Sequence, residues 1–356
     1  MLAKKVVVCI LLSLFLALFS GITVNSATAS KVAMQWGHLN YQLQTYNLTR
    51  FNNELSWENT ICSSVNSMFS SSWLHANSYG SSTTPTNVYN VLDNVANPSN
   101  GVTWSTTFWV GDFTHPWDNP YPLPFGYFGC FTNVTNSYVW DYQIYPHTTA
   151  YGSSKQYFTF MWTCANGGLY WNPNPSGGPP SYYNSTGGYF DIPGIISPVV
   201  SSTKPTWVPA NPNNNYGKNS GSSVVGMPYA WTGTLGMSIN GYSSTSGSYT
   251  YIGWENSSPF MIDTPPAGST STNLQYLYFV YFFYRSALGI ETGTPQTITD
   301  SLDRAAELTF GSNYSFGTSI LNTGQWFNEP NFPGFEDKWF YCRLRVYGNG
   351  NMVLPT

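Results

Sequence analysis

A cysteine at the end of an apolar segment is the first residue of this chain that could do chemistry. Cys164 follows the run QYFTFMWT and precedes a small, turn-prone stretch at residues 165–168. Thiol attack on a carbonyl needs an accessible cysteine, a histidine to take its proton and backbone N–H groups to hold the oxyanion. Upstream, Asp112 and His115 follow a second apolar segment, VTWSTTFWVG. The sequence therefore predicts a Cys164–His115 pair wherever these two segment ends meet.

Disulfide bonding is a second possible role for the same cysteine. Besides Cys9 in the N-terminal apolar run, the chain has Cys62, Cys130, Cys164 and Cys342. An even number of cysteines in an exported chain is compatible with disulfides, so Cys164 could pair with Cys130 or Cys342, or be buried and inert. No Cys-x-x-Cys pair occurs, and the pattern predicts neither a zinc site nor any cofactor.

The remaining histidines are weaker candidates for the base. His147 follows a predicted strand and is the second candidate after His115, while Asp141 within VWDYQI could orient a partner at a strand end. His38 and His75 are distant in sequence from both segment ends, and we assign them no role.

The elements that must position these residues alternate between helices and apolar strands. This alternation predicts an α/β fold, a three-layer sandwich with a mainly parallel central sheet, in which ligands bind beyond the carboxyl ends of the strands. The predicted strands are 31–36, 101–113, 137–145, 156–164 and 248–259, with a strand–turn–strand at 338–354. The predicted helices are 59–74, 84–95, 273–289 and 297–311, with a short helix within 224–236.

The N-terminal residues 1–29 have the features of a secretory signal. Lys4 and Lys5 precede an apolar run at residues 6–24, and small residues near Ala29 offer a cleavage site. The run is almost long enough to span a bilayer, so an uncleaved N-terminal anchor is the alternative. Residues 30–356 are expected to form a single domain with a Gly/Pro/Asn/Ser-rich loop insertion at 166–224.

The composition favours a secreted or cell-surface protein. Only 8% of the residues are charged, against about 25% in typical soluble proteins, whereas aromatic residues reach 18%. The formal net charge of −4 gives no basic footprint for nucleic acid. We expect a protein or peptide substrate, or a surface partner, and contact with a membrane only through an uncleaved anchor. Asn-x-Ser/Thr glycosylation acceptors occur at Asn47, Asn133, Asn184, Asn256 and Asn313.

The order of segments across residues 59–354 resembles the caspase/gingipain/clostripain superfamily of cysteine peptidases. The resemblance is carried by FWVGDF, VWDYQI, FTFMWTCANGG, YIGWENSSP, FFYRSALG, SLDRAAELTFG and LRVYGNGNMVL. It implies a caspase-like fold with Cys164 as the nucleophile. It also implies an oxyanion hole formed by the N–H groups of Cys164 and Phe113.

One position departs from this family. The family's catalytic histidine ends the earlier strand as a His-Gly pair, but this chain has Asp112-Phe113 there, with His115 in the following loop. The Asp112 carboxylate would raise the pKa of a neighbouring thiol by like-charge repulsion. Either His115 serves as the base, or the chain is an inactive relative that keeps the fold.

Two other classes of function remain open. A non-catalytic, glycosylated surface or binding protein would explain the low charge, the acceptor sites and the lost His-Gly pair. A glycosidase acting in acid would need two carboxylates about 5–10 Å apart. Its candidates are Asp112, Asp141, Glu255, Glu329 and Glu336, and the many aromatic rings could stack on sugars.

Overall fold

The computed structural model describes most of the predicted domain core. The described residues are 31–38, 48–79, 83–111, 113–114, 129–131, 138–163, 170–171, 224–225, 227–233, 245–254, 258–259, 261, 276–311, 325–328, 339–342 and 344–356. The predicted signal or anchor, the five glycosylation acceptors and most of the 166–224 insertion lie outside them, as do Asp112, His115 and Cys164.

Strands and helices alternate along the first part of the described chain. The strands are β1 Lys31–His38, β2 Leu74–Tyr79, β3 Trp104–Gly111, β4 Phe113–Thr114, β5 Gly129–Phe131, β6 Tyr138–Trp140, β7 Gln156–Trp162, β8 Tyr170–Trp171, β9 Val224–Val225, β10 Thr245–Trp254, β11 Gln325–Asn328, β12 Trp339–Cys342 and β13 Leu344–Asn349. The helices are α1 Leu48–Met68, α2 Pro85–Ala96, α3 Asp141–Thr148, α4 Met227–Thr232, α5 Tyr276–Ala287 and α6 Ile298–Phe310.

A six-stranded sheet organises the molecule, with the strand order β13-β10-β7-β3-β1-β2. The five strands from β10 to β2 are parallel, and β13 pairs antiparallel with β10. The prediction of an α/β fold with a mainly parallel sheet is therefore confirmed. We call the edge where the parallel strands end the carboxyl edge, and the edge where they begin the amino edge.

The central strands are buried on both faces, which explains their near-continuous apolar sequences. Phe108 of β3 and Phe160 of β7 belong to one hydrophobic cluster, while Trp109 and Met161, one residue further along, belong to another. Helices α1, α5 and α6 contribute to the first cluster, and α2, α3 and α4 to the second. Each strand thus buries alternate side chains against a different set of helices.

The residues that the sequence predicts at two helix ends occupy those positions in the structure. Thr84 caps α2 by accepting a hydrogen bond from the N–H of Asn87 at 3.1 Å, and Pro85 occupies the first helical position. Gly289, predicted to end the helix at 273–289, has φ +70° just beyond α5. Among the described residues, no helix has both the length and the apolarity to cross a bilayer.

Three elements differ from the predictions. The second strand of the pair predicted at 338–354 does not form, because β13 ends at Asn349 and beyond it Val353 makes only an isolated bridge with Thr297. The strand predicted at 137–145 is only β6, and α3 follows it directly. The helix predicted at 59–74 begins earlier, at Leu48, and ends at Met68, before the unpredicted edge strand β2.

The loop insertion begins and ends at one place. Tyr170 of β8 pairs with Val225 of β9, and Trp171 pairs with Val224, in an antiparallel two-stranded sheet. This pair brings Trp171 and Val224, the residues on either side of the undescribed stretch 172–223, next to each other.

Candidate active site at the carboxyl edge

Two neighbouring parallel strands bring the predicted site segments to the same edge. β3 and β7 are hydrogen-bonded neighbours in the middle of the sheet, and Val110 lies opposite Trp162. Asp112 directly follows the last residue of β3, and Cys164 lies two residues beyond the last residue of β7. Strands β3 and β7 therefore end at the carboxyl edge, each just before one of the predicted site segments.

A small three-stranded sheet continues from the end of β3. In it, Phe113 of β4 lies opposite Cys130 of β5, and Cys130 lies opposite Val139 of β6. Phe113 is the residue whose N–H was expected to contribute to the oxyanion hole. Phe113 lies two residues beyond the end of β3 and is paired there with Cys130.

Cys342, the other possible disulfide partner of Cys164, lies near a different strand of the central sheet. Cys342 ends β12 and precedes β13, which begins opposite Trp254 at the carboxyl end of β10. Strand β10 lies between β7 and β13. Adjacent strands are about 4.8 Å apart, and a disulfide needs Cα atoms within about 7 Å. The strand that Cys342 precedes is thus separated from β7 by β10.

Packed aromatic rings hold the end of β7 in place. The indole N–H of Trp162 donates a hydrogen bond to the carbonyl of Pro259 at 2.8 Å. Its ring meets Trp254 edge-on, with centroids 4.9 Å apart, and tilts against Tyr276 at 6.0 Å. All three rings are almost completely buried. Such packing fixes the direction in which the chain leaves the strand towards Cys164.

The structure also brings to this edge a histidine to which the sequence analysis gave no role. His38 is the last residue of β1, and its backbone lies opposite Gly111, the residue before Asp112. Three consecutive strands of the sheet, β1, β3 and β7, thus end at or just before His38, Asp112 and Cys164. The one sequence signal was a strand ending in Gly-His, within KVAMQWGH.

His147, the second candidate base, does not lie at this edge. It occupies the last turn of α3, just before the chain enters β7, and therefore lies near the amino edge. Its Nδ1 is 2.7 Å from Oδ1 of Asp93 on α2, and its ring stacks on Tyr89 with centroids 4.5 Å apart. This imidazole joins two helices and is not available to a nucleophile at the end of β7.

His75, which was given no role, lies on the outermost strand of the sheet. It is opposite Ala33 on β1, and its Nδ1 lies 2.5 Å from Oδ1 of Asn66. Partial burial lowers the pKa of its imidazole. The structure places it away from the ends of β3 and β7.

Cys62 is a buried thiol that takes no part in a disulfide. It lies on the inner face of α1, and its Sγ–H donates a weak hydrogen bond to the carbonyl of Trp36 at 3.6 Å. Burial raises the pKa of this thiol well above its usual value, and the nearby Glu58 carboxylate raises it further. A protonated, inaccessible thiol is neither a nucleophile nor a metal ligand.

The carboxylates proposed for a glycosidase are mostly outside the described residues. Asp141 begins α3 directly after β6, whereas Asp112, Glu255, Glu329 and Glu336 are not described. Within the described ranges, no group of three or more His, Cys, Asp or Glu residues could hold a metal ion. Comparisons of the chain with protein-family models and with curated proteins found no match.

Proposed function

We propose that this protein is a secreted or cell-surface cysteine peptidase of caspase-like architecture that cleaves peptide bonds with Cys164. The observation that carries the proposal is the parallel pairing of β3 with β7, in which Val110 lies opposite Trp162. A nucleophile after one strand and a base after its neighbour require this arrangement. Helices packed on both faces of the sheet support the finer proposal of a three-layer sandwich.

The proposed chemistry uses groups that the chain itself supplies. An imidazole takes the proton of the Cys164 thiol, and the thiolate attacks the carbonyl carbon of the scissile peptide bond. Backbone N–H groups of Cys164 and Phe113 stabilise the negative charge on the carbonyl oxygen. The imidazolium then gives its proton to the leaving amine, and water releases the acyl group.

Two histidines compete for the role of base. His115 belongs to the segment that follows β4, whereas His38 ends β1, the strand on the far side of β3 from β7. The one-strand offset favours His115, because a base on β1 would have to reach across the end of β3. The carboxylate of Asp112, the residue directly after the end of β3, is expected to orient this imidazole.

Alkylation of the native thiol is the experiment that tests the proposal. We expect iodoacetamide to modify Cys164 in the folded protein and to leave the buried Cys62 unmodified. Cleavage of fluorescent casein should be lost in Cys164→Ala and reduced at least about 100-fold in His115→Ala. His38→Ala and Cys62→Ala should keep most of the activity.

The outcome that contradicts the proposal is equally definite. A disulfide between Cys164 and Cys130, or full activity in Cys164→Ala, would rule out a cysteine peptidase. The position of Cys130 opposite Phe113 favours the second candidate, a non-catalytic, glycosylated surface protein on the same fold. In that case the native protein would resist alkylation at Cys164 and would cleave no casein.

A further inference from the structure

A row of aromatic rings crosses the amino edge of the sheet, at the opposite end of the strands from the proposed catalytic site. The Trp104 ring stacks on Tyr157 with centroids 5.5 Å apart, and Tyr157 stacks on Tyr249 at 5.1 Å. Trp73 meets Trp104 edge-on at 5.8 Å. We call these four residues the aromatic row. Trp73 is buried, but the other three rings are only partly covered.

Irregular backbone pairing accompanies this row. The register between β3 and β7 passes from Ser105–Gln156 to Thr106–Phe158 and so skips Tyr157. The pairing of β10 with β13 shifts between Thr245 and Thr250, the stretch that contains Tyr249. Bulges of this kind re-aim side chains. Both tyrosines thus leave the regular alternation of the sheet where they join the row.

The most exposed large apolar side chains of the described residues lie at the same edge. They are Tyr151 at 58%, Ile290 at 43% and Val353 at 46% exposure. Tyr151 belongs to the turn before β7, and Ile290 to the connection between α5 and α6. Val353 follows β13 and bridges to Thr297, where that connection ends. These three side chains are therefore candidates for contact with whatever the amino edge faces.

The chain that precedes the described domain enters at this edge. Lys31 is the first residue of β1, and its ammonium group lies 5.2 Å from the centroid of the Trp73 ring. The apolar run at residues 6–24 is separated from it only by residues 25–30. That spacer spans no more than about 25 Å when fully extended. If the run remains in a bilayer, the amino edge cannot be far from the lipid headgroups.

Charged groups of both signs lie near this edge. Lys31 donates a hydrogen bond to the carbonyl of Thr356 at 2.7 Å, and Lys155 directly precedes β7. The acidic groups are engaged with protein partners: Asp93 with His147, Glu291 with Arg304, and Asp300 with the Thr297 hydroxyl.

We propose that the amino edge faces a lipid bilayer in which residues 6–24 stay inserted as an anchor. The three partly exposed rings of the aromatic row, together with Tyr151, Ile290 and Val353, contact the headgroup region. Trp and Tyr favour this region because it suits side chains with an apolar body and a polar tip. Lys155, which directly precedes β7 at this edge, is expected to extend its ammonium group to a lipid phosphate. This inference is independent of the peptidase activity, since it uses no residue of the carboxyl edge.

Photo-crosslinking of the full-length chain in phosphatidylcholine vesicles tests the proposal. Tyr151 and Ile290 are replaced, one at a time, with the photoreactive amino acid benzoylphenylalanine. Thr86 provides the matched control, because it is exposed in the first turn of α2, which follows the carboxyl end of β2. Mass spectrometry should find lipid adducts at 151 and 290, and at least about tenfold fewer at 86.

Three results would overturn the inference. They are equal lipid labelling at all three positions, chain-to-chain adducts at 151 and 290 in place of lipid adducts, and recovery of the expressed protein as a soluble species without residues 6–24. The substituted side chains are exposed, so each variant should fold, and circular dichroism of each sample verifies this.

Discussion

Burial determines what each thiol of this chain can do. Cys62 packs between α1 and β1, where solvent cannot reach it, and both desolvation and the Glu58 carboxylate keep it protonated. Cys164 follows a rigid strand end at the carboxyl edge. The same residue type is thus a packing group in one position and the proposed nucleophile in the other.

The raised pKa of Cys62 predicts a loss of stability in alkali. Above pH 9.0, the usual value for this thiol, the unfolded chain releases the proton whereas the folded chain keeps it. The free energy of unfolding should therefore fall as the pH rises, because unfolding releases up to one proton. The unfolding constant then rises by at most about tenfold per pH unit. Urea titrations between about pH 8 and 10 should show a smaller fall in Cys62→Ala.

The neighbouring Ser63 provides the control for this titration. Ser63→Ala changes an exposed position on the same helix turn and should keep the wild-type pH dependence. Equal slopes in wild type and Cys62→Ala would show that the thiol does not titrate differently in the two states.

Some residues of the candidate site could be placed from the sequence, and others could not. Cys164 and the segment starting at Asp112 could be assigned to strand ends because both follow apolar runs. His38 could not, because its place beside Gly111 depends on the pairing of β1 with β3, whose paired residues are 73 positions apart in the sequence. Such pairing leaves no local pattern. His147 was misplaced because the segment before it was predicted to be a strand.

A glycine determines how the α5–α6 pair is joined. Gly289 has φ +70°, and a Cβ at this position would lie 2.5 Å from the backbone nitrogen of Pro295. Both the left-handed backbone and the close approach of the next segment require the absence of a side chain. The turn then leads into α6, whose first turn is capped by Thr297.

Gly289→Ala is expected to destabilise the protein more than Gly293→Ala. Both glycines have positive φ, so each substitution costs about 1 kcal/mol in backbone strain. Only position 289 adds an overlap with Thr294 and Pro295, which costs about 1–3 kcal/mol more. Thermal unfolding of the two variants measures the difference. Equal melting temperatures would show that the turn relaxes freely.

The cap of α2 allows a second comparison within one helix. Thr84→Ala removes the acceptor for the Asn87 N–H and should cost about 1 kcal/mol. Thr86→Ala, in the exposed first turn, should change the free energy of unfolding by less than about 0.5 kcal/mol. Urea denaturation of both variants tests this, and a larger effect at Thr86 would contradict the assigned cap.

Helix and strand prediction succeeded where periodicity and burial agreed. The helix predicted at 84–95 is α2, and the strand predicted at 156–164 contains β7. At 137–145, aromatic and polar residues alternate as in a strand, yet α3 forms because Ile144 packs fully buried and Thr148 bonds to the carbonyl of Ala230 at 2.6 Å. Tertiary contacts of this kind are invisible in a short window of sequence.

The β8–β9 pair brings together the two ends of the stretch between residues 171 and 224. Replacing residues 173–222 with a short Gly/Ser linker should preserve the β8–β9 pair and the fold, because a shorter loop has a smaller entropic cost of closure. Calorimetry should show one cooperative transition within about 3 °C of the wild type. A longer deletion, of residues 170–225, also removes the β8–β9 pair and is compared with the first deletion. If the variant lacking residues 173–222 were insoluble while the variant lacking 170–225 stayed soluble, the expected preservation of the fold would be contradicted.

The two proposals assign opposite ends of the sheet to different tasks. If the amino edge lies on lipid, the carboxyl edge with Cys164 points away from the bilayer. A membrane-bound peptidase of this geometry would act on chains approaching from the aqueous side. Casein cleavage by vesicle-bound protein should therefore match that of detergent-solubilised protein, and strong inhibition by vesicles would contradict the combined arrangement.

The crowded indoles have an optical consequence. Trp36 lies 6.0 Å from Trp109, Trp109 lies 6.3 Å from Trp231, and Trp162 lies 4.9 Å from Trp254, centroid to centroid. Electronic transitions of rings this close couple to one another and produce a split signal in the ultraviolet. The protein thus carries an intrinsic spectroscopic reporter on each face of its sheet, which registers loosening of the interior even where the helices persist.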